Sequence, residues 1–421
     1  MKIIGITGTN GKTTCVHLIC NLLKDYINCA SFGTLGIKHY RDNACFEKKT
    51  QLTTLGNIEL HKNLLEVTEN KCEFVAMEVS SHGLDQKRVA GVDFVDVVFT
   101  NLSHDHLDYH KTMENYFQAK LKLFTDYNNK LRRAIINLDD EYGLRLIKFL
   151  QTNQNNINNK LEIIGFSTKS LKEQSNESYF KNIKKITCEQ IIFNNLGIQA
   201  SISTPWGTGV LNTELIGMHN LSNLLASIAV CVTELPFIEI LKKCSVLQPA
   251  TGRLQKVINN LKNNTNIKSE IIVDYAHTPD GLEKALLAIK KHYSNKKICC
   301  IFGCGGDRDT AKRPKMLEMA DNYCDTIILT QDNPRSEDPQ KIIDDILSYK
   351  ITKLSGDLII EMDRRQAIYN GIKNYFKDHI ILIAGKGHET KQIIGFKEYP
   401  FCDYTVAKEG LNMLNMPVLN D

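Results

Sequence analysis

The chain has 421 residues, of which 42% are hydrophobic and 24% are charged, and these proportions exclude wholesale disorder. Its 52 lysines and arginines against 48 acids leave a net charge of +4, too small and too evenly spread for a nucleic-acid-binding surface. Apolar runs such as residues 224–232 are about half of a bilayer span, so we expect no membrane insertion. Thirteen cysteines in apolar segments indicate reduced thiols and a cytoplasmic protein.

Short β-branched runs alternate with amphipathic stretches, which is typical of parallel sheets flanked by helices. In the first half, strands are predicted at residues 2–7, 74–79, 95–100 and 134–137. Antiparallel strands are then predicted within residues 191–215, followed by an apolar helix over residues 222–233. The strand rhythm restarts at residues 271–275, 298–303, 326–330 and 380–384. These patterns predict an α/β fold with a domain boundary near Arg253.

A glycine-rich turn joins the first strand to a helix. The turn and the start of the helix read Gly8-Thr9-Asn10-Gly11-Lys12-Thr13-Thr14. Glycines let a backbone wrap closely around an anion, and the N-terminus of the following helix presents N–H groups to it. Lys12 can reach outer phosphates, and Thr13 can offer its hydroxyl to magnesium. Because five residues, not four, separate Gly5 from Gly11, the strict Walker pattern fails and a plain tight turn is the alternative. We predict a nucleoside triphosphate site.

Acidic and histidine side chains follow the next strands. Glu78 ends a buried-type strand, where phosphate-loop enzymes place a metal-holding acid, although an exposed strand-end glutamate is equally compatible with the sequence. Residues 101–110 then carry three histidines, His104, His106 and His110, together with two aspartates. They are either zinc ligands or part of a magnesium or substrate site beside the triphosphate, and the phosphate loop favours the second interpretation.

Taken together, these motifs resemble the Mur ligase family. The resemblance rests on residues 8–14, 78–82 and 105–108 in the first half, and on residues 274–281, 303–309, 332–335 and 385–389 in the second. It implies a central phosphate-loop ATPase domain at residues 1–253 and a Rossmann-like C-terminal domain at residues 254–421. The implied activity is an ATP-dependent ligation that forms an amide through an acyl phosphate. The motif Asp332-Asn333-Pro334-Arg335 points to the member that adds meso-diaminopimelate to UDP-N-acetylmuramoyl-L-alanyl-D-glutamate, in peptidoglycan biosynthesis and hence in cell shape and division.

The resemblance also implies roles for individual residues. Catalysis is assigned to Lys12, His106, Arg253 and Lys120, the last in carbamylated form. ATP is assigned to Gly8, Thr9, Asn10, Gly11, Lys12, Thr13, Thr14, Asn220, Arg253, Asp274 and His277, and Mg²⁺ to Thr13, Glu78 and His106. The UDP-muramoyl dipeptide is assigned to Thr53, Thr54, Ser80, Gln86 and Arg88. Diaminopimelate is assigned to Arg308, Asp332, Asn333, Arg335, Gly385 and Glu389. The expected partners are these small molecules alone, and the expected state is a monomer.

The sequence departs from the family in two places. The family's Thr-Thr-Pro is replaced by Thr53-Thr54-Leu55, which keeps both hydroxyls but loosens the turn. In addition, the family has an N-terminal UDP-binding domain of about a hundred residues. Here the phosphate-loop strand begins at the start of the sequence, so we expect that domain to be missing, either in a naturally short form or in a truncated piece.

Three other functions compete with this interpretation. A folate or cyanophycin-type ligase would share the fold, but Asp332-Asn333-Pro334-Arg335 favours diaminopimelate. A zinc hydrolase built on His104, His106 and His110 would need no phosphate loop. A truncated binding module or partner subunit, with weak or no catalysis on its own, would follow from loss of the UDP-binding domain, but the presence of Lys12, Glu78, His106 and Lys120 argues against it.

Overall fold

The computed structural model describes residues 1–42, 44–127, 129–153, 160–170, 183–258 and 269–414. The chain divides into two compact units, Met1–Gln248 and Pro249–Asp421. Each unit is built on its own open β-sheet with helices packed against it. The domain boundary predicted near Arg253 stays a prediction. No helix in the described ranges is long and apolar enough to cross a membrane.

The first unit contains a mixed sheet. Its strands in chain order are β1 (Lys2–Thr7), β2 (Cys29–Gly33), β3 (Gly36–Arg41), β4 (Ala44–Lys48), β5 (Phe74–Glu78), β6 (Asp96–Phe99), β7 (Arg133–Asn137), β8 (Glu162–Ser167), β9 (Lys184–Asn194), β10 (Gly197–Thr204) and β11 (Gly207–Thr213). Across the described part of this sheet the order is β11-β10-β9-β8-β7-β6-β1-β5-β2-β3-β4. The strands from β9 to β2 in this order run parallel, and antiparallel strands extend both edges.

Helices cover both faces of this sheet. They are α1 (Lys12–Leu23), α2 (Asn57–Glu69), α3 (Ser81–Asp85), α4 (Leu107–His110), α5 (Met113–Thr125), α6 (Glu141–Thr152), α7 (Met218–Cys231) and α8 (Phe237–Cys244). The central strand β1 shows how the alternating side chains build two cores. Ile4 and Ile6 join the cluster containing α1 and α7, whereas Ile3 joins the cluster on the opposite face. Burial of each such side chain contributes roughly 1.5–3 kcal/mol.

The second unit has a smaller, mostly parallel sheet. Its strands are β12 (Gln255–Lys256), β13 (Ile271–Asp274), β14 (Lys297–Phe302), β15 (Thr326–Leu329), β16 (Leu358–Ile360) and β17 (His379–Ala384), and the hairpin β18 (Lys391–Ile394) and β19 (Lys397–Pro400) lies apart from that sheet. Within the described residues the sheet order is β12-β13-β17-β14-β15-β16, with β12 antiparallel to β13. The helices are α9 (Pro279–His292), α10 (Lys312–Tyr323), α11 (Pro339–Ile346), α12 (Arg364–Tyr375) and α13 (Asp403–Leu414).

The eight predicted parallel strands are confirmed, each to within about one residue, as β1, β5, β6, β7, β13, β14, β15 and β17. The antiparallel strands predicted within residues 191–215 are also present, but the first of them, β9, begins earlier, at Lys184. The predicted apolar helix is α7, which begins at Met218 instead of residue 222. Its first turn contains Met218, His219 and Asn220, so an apolar pattern alone does not reveal the helix start.

A buried ion pair joins two helices of the second unit. Arg364 on α12 donates Nε and Nη2 to the two carboxylate oxygens of Asp403 on α13, both at 2.8 Å, and both side chains are 0% exposed. The same Nη2 donates to the carbonyl oxygen of Ala384, at the carboxyl end of β17. Removing the carboxylate would leave a buried guanidinium without its counterion.

We therefore expect Asp403→Ala to lower the free energy of opening of α12 and α13 by about 3–5 kcal/mol. Glu409→Ala is the matched control, because Glu409 pairs with Arg365 on the same two helices in a half-exposed ion pair. That variant should lose about 0–1 kcal/mol. Native-state hydrogen exchange of peptides from the two helices measures both values. Equal losses in the two variants would show that burial does not set the strength of the Arg364 pair.

Candidate active site

The parallel strands β1, β5 and β6 end side by side, because Ile6 pairs with Glu78 and Thr7 with Phe99. Open α/β sheets bind ligands at the carboxyl ends of such strands. The turn after β1 lies at this edge. Gly11 has φ +89°, and a Cβ atom there would lie 2.3 Å from Oδ1 of Asn223, so a larger residue does not fit. The predicted phosphate loop therefore has the backbone that only glycine supports at this position.

The loop is tied to the segment after β6. The backbone N–H of Thr9 donates to the carbonyl of Asn101, and that of Asn10 donates to the Asn101 side chain, each at 2.9 Å. Lys12 lies across the loop and donates its Nζ to the carbonyls of Gly8 and Thr9, both at 2.8 Å. Its ammonium is thus held over the turn that would receive a phosphate.

Glu78 is a buried carboxylate at the centre of this edge. It is 2% exposed, which removes the alternative of an exposed strand-end glutamate. The hydroxyl of Thr13 donates to its Oε2 at 2.9 Å, and the backbone N–H of Thr34 donates to its Oε1 at 2.7 Å. Mg²⁺ is usually held by one or two carboxylates together with substrate phosphates and water. The Thr13 hydroxyl and the Glu78 carboxylate, beside the phosphate loop, fit that donor set.

Lys120, on α5, is buried at the same loop. It is 1% exposed and donates its Nζ to the carbonyl of Gly8 at 2.9 Å, while the ring of Tyr116 lies 4.6 Å from Nζ. Burial, reinforced by the charge of Lys12, lowers the pKa of Lys120 well below that of a free lysine. The charge of Asp105 partly opposes this shift, but the hydrogen-bond acceptor of Nζ itself is the neutral carbonyl of Gly8. The structure therefore favours an uncharged amine at this position.

Aromatic and imidazole rings pack together beside Lys120. The ring of His82 lies 5.0 Å from that of His106 and 5.4 Å from that of His110, and His110 stacks on Tyr116 at 5.0 Å. Burial lowers the pKa of all three histidines, so they favour the neutral form that can bind a metal. A carboxylate oxygen of Asp105 lies 3.6 Å from Nε2 of His106, and its charge partly opposes the lowering of the His106 pKa.

The zinc interpretation finds no support in this cluster. His110 is buried with its Nε2 hydrogen-bonded to the Ser81 hydroxyl at 2.9 Å, whereas His104 is exposed. In the described part of the chain, no three His, Cys, Asp or Glu side chains are grouped to hold a metal ion. His110 therefore has a packing role, whereas His104 and His106 are both exposed to solvent.

The residues predicted for the dipeptide form a connected group. The Thr54 hydroxyl donates to the Ser80 hydroxyl at 3.1 Å, and Arg88 donates to the carbonyl of Thr54 and to the side chain of Gln86. Thr53 joins the same region through a 3.0 Å hydrogen bond between its hydroxyl and that of Thr34, which also donates to Glu78. The loss of proline at Leu55 thus leaves both threonine hydroxyls beside the Glu78 region.

Asn220 is buried on α7 and donates its side-chain amide to the carbonyl of Ile216 at 2.8 Å. Asn223, one turn later, is the residue of this helix that lies beside Gly11. It also accepts a weak hydrogen bond from the thiol of Cys15. The sequence reasoning singled out Asn220 and missed Asn223, although the two occupy neighbouring positions on one helix face.

In the second unit, Arg253 and Asp274 lie near Tyr275. The guanidinium of Arg253 lies 4.4 Å from the Tyr275 ring centre. Asp274 accepts the backbone N–H groups of Leu254 and Ala276, and burial raises its pKa while Arg253 opposes that rise. The ring of His277 lies 4.5 Å from that of Tyr275. The three predicted residues of this group are thus brought together around a tyrosine that sequence reasoning missed.

Most residues predicted for the amino acid also cluster. Asn333 donates its side-chain amide to Oε2 of Glu389 at 2.9 Å, and a Cβ atom at Gly385 would lie 2.5 Å from Oδ2 of Asp332. Arg335 donates Nη1 to the carbonyl of Gly306 at 2.7 Å. The exposed Arg308 approaches the same loop near Gly305.

Lys386, at the centre of the cluster, was part of the quoted motif at residues 385–389 but was given no role. A lysine between two glycines reads as a surface residue, yet its side chain is 0% exposed. The local sequence does not reveal this burial, because the burial depends on contacts of Lys386 with the carboxylates of Asp332 and Glu389.

Comparisons with known proteins show which family the chain resembles. Residues 6–231 match the Mur ligase middle domain, and residues 252–387 match the Mur ligase glutamate ligase domain. The chain is 41% identical over 413 residues to the UDP-N-acetylmuramoyl-L-alanyl-D-glutamate--2,6-diaminopimelate ligase of Coxiella burnetii, covering 98% of this chain and 78% of the relative. It is 38% identical over 417 residues to the ligase of the same name from Prochlorococcus marinus, with the same two coverages.

A solved structure of a ligase with that name has a TM-score of 0.69 to this chain at 31% identity, covering 99% of this chain and 79% of that one. A UDP-N-acetylmuramate-alanine ligase from Thermotoga maritima has a TM-score of 0.61 at 16% identity, which shows a shared fold. The predicted α/β architecture, with a central nucleotide-binding domain and a C-terminal domain, is confirmed by these matches.

The buried amine of Lys120 generates a prediction about stability. We expect Lys120→Met to raise the free energy of unfolding at pH 7, because an apolar side chain needs no deprotonation to be buried. An unfolded lysine binds a proton up to about pH 10, whereas the folded Lys120 releases it at lower pH. The wild type therefore gains stability as pH rises. The difference in free energy of unfolding between Lys120→Met and the wild type should narrow by at most about 1.4 kcal/mol per pH unit.

Denaturant unfolding in carbon-dioxide-free buffer measures this difference through Trp206, the only tryptophan of the chain, which lies in the first unit. Lys122→Met is the control, since Lys122 is partly exposed and pairs with Asp85. Its free energy of unfolding should differ from that of the wild type by only about 0–1 kcal/mol, as is usual for an exposed ion pair. A stability difference between Lys120→Met and the wild type that does not change with pH would contradict a lowered pKa at Lys120.

Proposed function

Since the chain belongs to the Mur ligase family, whose members are ATP-dependent amide-forming ligases, we propose that it adds meso-diaminopimelate to UDP-N-acetylmuramoyl-L-alanyl-D-glutamate. The observation that carries the proposal is the match over 98% of the chain to ligases of that name, together with the clustering of Asp332, Asn333 and Glu389. The product would be a precursor for peptidoglycan, and so the enzyme would serve cell shape and division.

The chemistry requires activation of a carboxylate. A free carboxylate is a poor acyl donor, so the dipeptide carboxylate first attacks the γ-phosphate of ATP and gives an acyl phosphate and ADP. The amine of diaminopimelate then attacks the acyl carbon and displaces inorganic phosphate. Two anions must approach each other in the first step, and cationic groups that offset their repulsion lower its barrier.

The phosphate loop supplies such groups. Lys12 would exchange its bonds to the carbonyls of Gly8 and Thr9 for contacts with the outer phosphates. We propose that Thr13 and Glu78 hold a first Mg²⁺ and that His106 contributes to a second. When bound, the ions would neutralise phosphate charge. Gly8, Thr9, Asn10, Gly11 and Thr14 are proposed to form the loop that surrounds the phosphates.

Lys120 is proposed to act as a carbamate. Its amine nitrogen would attack the carbon of carbon dioxide, form an N–C bond and release a proton to solvent. Only an uncharged amine has the electron pair for this step, and burial at Gly8 favours that form. The resulting anion would orient metal-bound groups. Repeating the Lys120 unfolding series with bicarbonate tests this step, because added stability should be seen in the wild type and not in Lys120→Met.

The remaining substrate contacts are assigned by residue. Asn220, Asp274 and His277 are proposed for the adenine and ribose, and Arg253 for the γ-phosphate. Thr53, Thr54, Ser80, Gln86 and Arg88 are proposed for the peptide part of the nucleotide substrate. The cation–aromatic contact of Arg253 with Tyr275 supports this assignment, because it holds the guanidinium in one orientation.

The amino-acid site is proposed at Arg308, Asp332, Asn333, Arg335, Gly385 and Glu389. Diaminopimelate differs from lysine by a second carboxylate at its distal end. A guanidinium can bind a carboxylate through two parallel hydrogen bonds, which a neutral side chain cannot do. Arg335 is our candidate for this contact because its backbone is fixed at both sides. Its N–H donates to the carbonyl of Ile393, and its carbonyl accepts the N–H of Gly395.

We also propose that the enzyme works as a monomer in the cytoplasm. All thirteen cysteines carry free thiols, and most of them are buried, as expected for a reducing compartment. The substrates are small molecules, and neither nucleic acid nor membrane is needed for the reaction.

The proposal is tested by an assay of ADP and ligated product with ATP, UDP-muramoyl dipeptide and meso-diaminopimelate. We expect product formation that depends on all three substrates, and its loss in Lys12→Met, since a methionine offers no charge to the phosphates. Lys24→Met serves as control, because Lys24 ends α1 and donates to Asn21 outside the loop. A wild type that binds the dipeptide without turnover would instead support a binding module.

The second prediction of this assignment concerns amino-acid choice. We expect Arg335→Ala to lose about 2–4 kcal/mol in kcat/KM for diaminopimelate, the scale for removing one partner of a buried charge pair. Its low activity with lysine should change little, because lysine has no distal carboxylate. Competition kinetics with the two amino acids measure the difference. Arg365→Ala is the control, since Arg365 pairs with Glu409. Equal losses with both amino acids would show that Arg335 supports the loop and does not select the substrate.

A further inference from the structure

Lys386 is a fully buried cation in the middle of the proposed amino-acid site. Its Nζ donates to Oδ1 of Asn333 and to Oε2 of Glu389, each at 2.9 Å, and lies 3.9 Å from a carboxylate oxygen of Asp332. The side chain is 0% exposed. Three of the six residues proposed for diaminopimelate are thus held by one ammonium that is itself withdrawn from solvent.

The contacts of Lys386 fix the orientation of the Asn333 amide. Its Oδ1 accepts both from Lys386 and from the backbone N–H of Ile393, so this end of the amide must be the oxygen. The Nδ2 group then points to Oε2 of Glu389 and donates to it. An ammonium has donors only, and therefore Lys386 excludes the flipped amide.

The charged groups near Lys386 are the carboxylates of Asp332, Glu389 and Asp403 and the guanidinium of Arg364. His388 also faces Glu389, but burial lowers its pKa to about 4, so it is neutral at pH 7. Burial raises the pKa of Asp332 and works against the ionised form of Glu389, while Lys386 favours the ionised form of both.

Resting on the proposed function, we infer that Lys386 is a positioning residue that sets the charge of Glu389 and the orientation of Asn333 for an amino acid with a distal ammonium. Glu389 keeps a carboxylate oxygen for that ammonium only if it is ionised. Because the Lys386 side chain is 0% exposed, it acts through Asn333 and Glu389 and not through contact with the substrate.

The backbone is shaped to bring this lysine inward. Gly385 has φ +115°, and a side chain there would collide with the Asp332 carboxylate at 2.5 Å. The strand β17 therefore leads directly into a turn that places residue 386 under the two carboxylates. The following hairpin completes the enclosure, because Gln392 on β18 donates to the carbonyl of Asp332 at 2.8 Å.

The test compares Lys386→Met with Lys386→Arg and with Lys391→Met, a control that removes an exposed lysine paired with Glu398. We expect Lys386→Met to raise the KM for diaminopimelate roughly tenfold or more while the KM for ATP stays within about twofold. The arginine variant keeps the charge and should recover part of the loss. Lys391→Met should behave as the wild type.

The pH profile separates this role from a merely structural one. In the wild type the pKa of Glu389 is lowered, so its carboxylate persists well into acid. Without the lysine charge that pKa should rise, and diaminopimelate kcat/KM should be lost at higher pH as the carboxylate takes a proton. The deficit of Lys386→Met should therefore be larger at pH 6 than at pH 9. A deficit that is independent of pH, or equal rises in both KM values, would overturn the inference.

A second measurement needs no substrate and so distinguishes the two proposals. Carbon-13 labelling of glutamate side chains allows the Glu389 carboxyl to be titrated in the full chain, with Glu389→Gln identifying its resonance. An upward move of its titration in Lys386→Met, reversed in Lys386→Arg, supports the inference even if the wild type proves to ligate another amino acid. An unchanged titration overturns it, and a wild type that joins no diaminopimelate refutes only the proposed function.

Discussion

The hydrogen bond from Thr13 to Glu78 is the contact on which the phosphate-binding edge depends. It joins the first turn of α1 to the end of β5 at 2.9 Å, and the same carboxylate accepts the backbone N–H of Thr34 after β2. Three neighbouring strands are thus fixed relative to one another at their carboxyl ends. A buried carboxylate without these donors would cost several kcal/mol. The edge is therefore stable only in the arrangement that keeps the acid beside the phosphate loop.

Much of the fold could be predicted from local pattern, and the reasons for the omissions are physical. Parallel strands such as β1 and β6 are buried on both faces and read as continuous apolar runs. Strand β4 is exposed throughout, and β2 is a five-residue strand without β-branched residues, so neither carries that pattern. The start of α7 was misplaced because its first turn is polar. Edge strands and helix ends are determined by neighbours distant in sequence.

In the candidate site, too, some residues could be predicted from local sequence and others could not. Lys12 and Thr13 could be predicted because a phosphate loop places them at fixed positions along the chain, and Glu78 because it ends a buried-type strand. Sequence reasoning gave no role to Lys386 or Tyr275, because their importance comes from tertiary contacts. Lys386 contacts Asp332 and Glu389, and Tyr275 contacts Arg253. Residue type and spacing identify groups that contact a ligand directly. They carry little information about the groups that hold those residues in place.

Two buried lysines show how the surroundings of a side chain change its chemical properties. Lys120 meets the neutral carbonyl of Gly8, and burial together with the repulsion of Lys12 lowers its pKa well below that of a free lysine. Lys386 is equally buried but lies against two carboxylates, which make its charge favourable. Burial alone therefore does not decide whether a lysine is a base or a cation. The oxygen atoms nearest to Nζ make the difference, because they are a neutral carbonyl at Lys120 and carboxylates at Lys386.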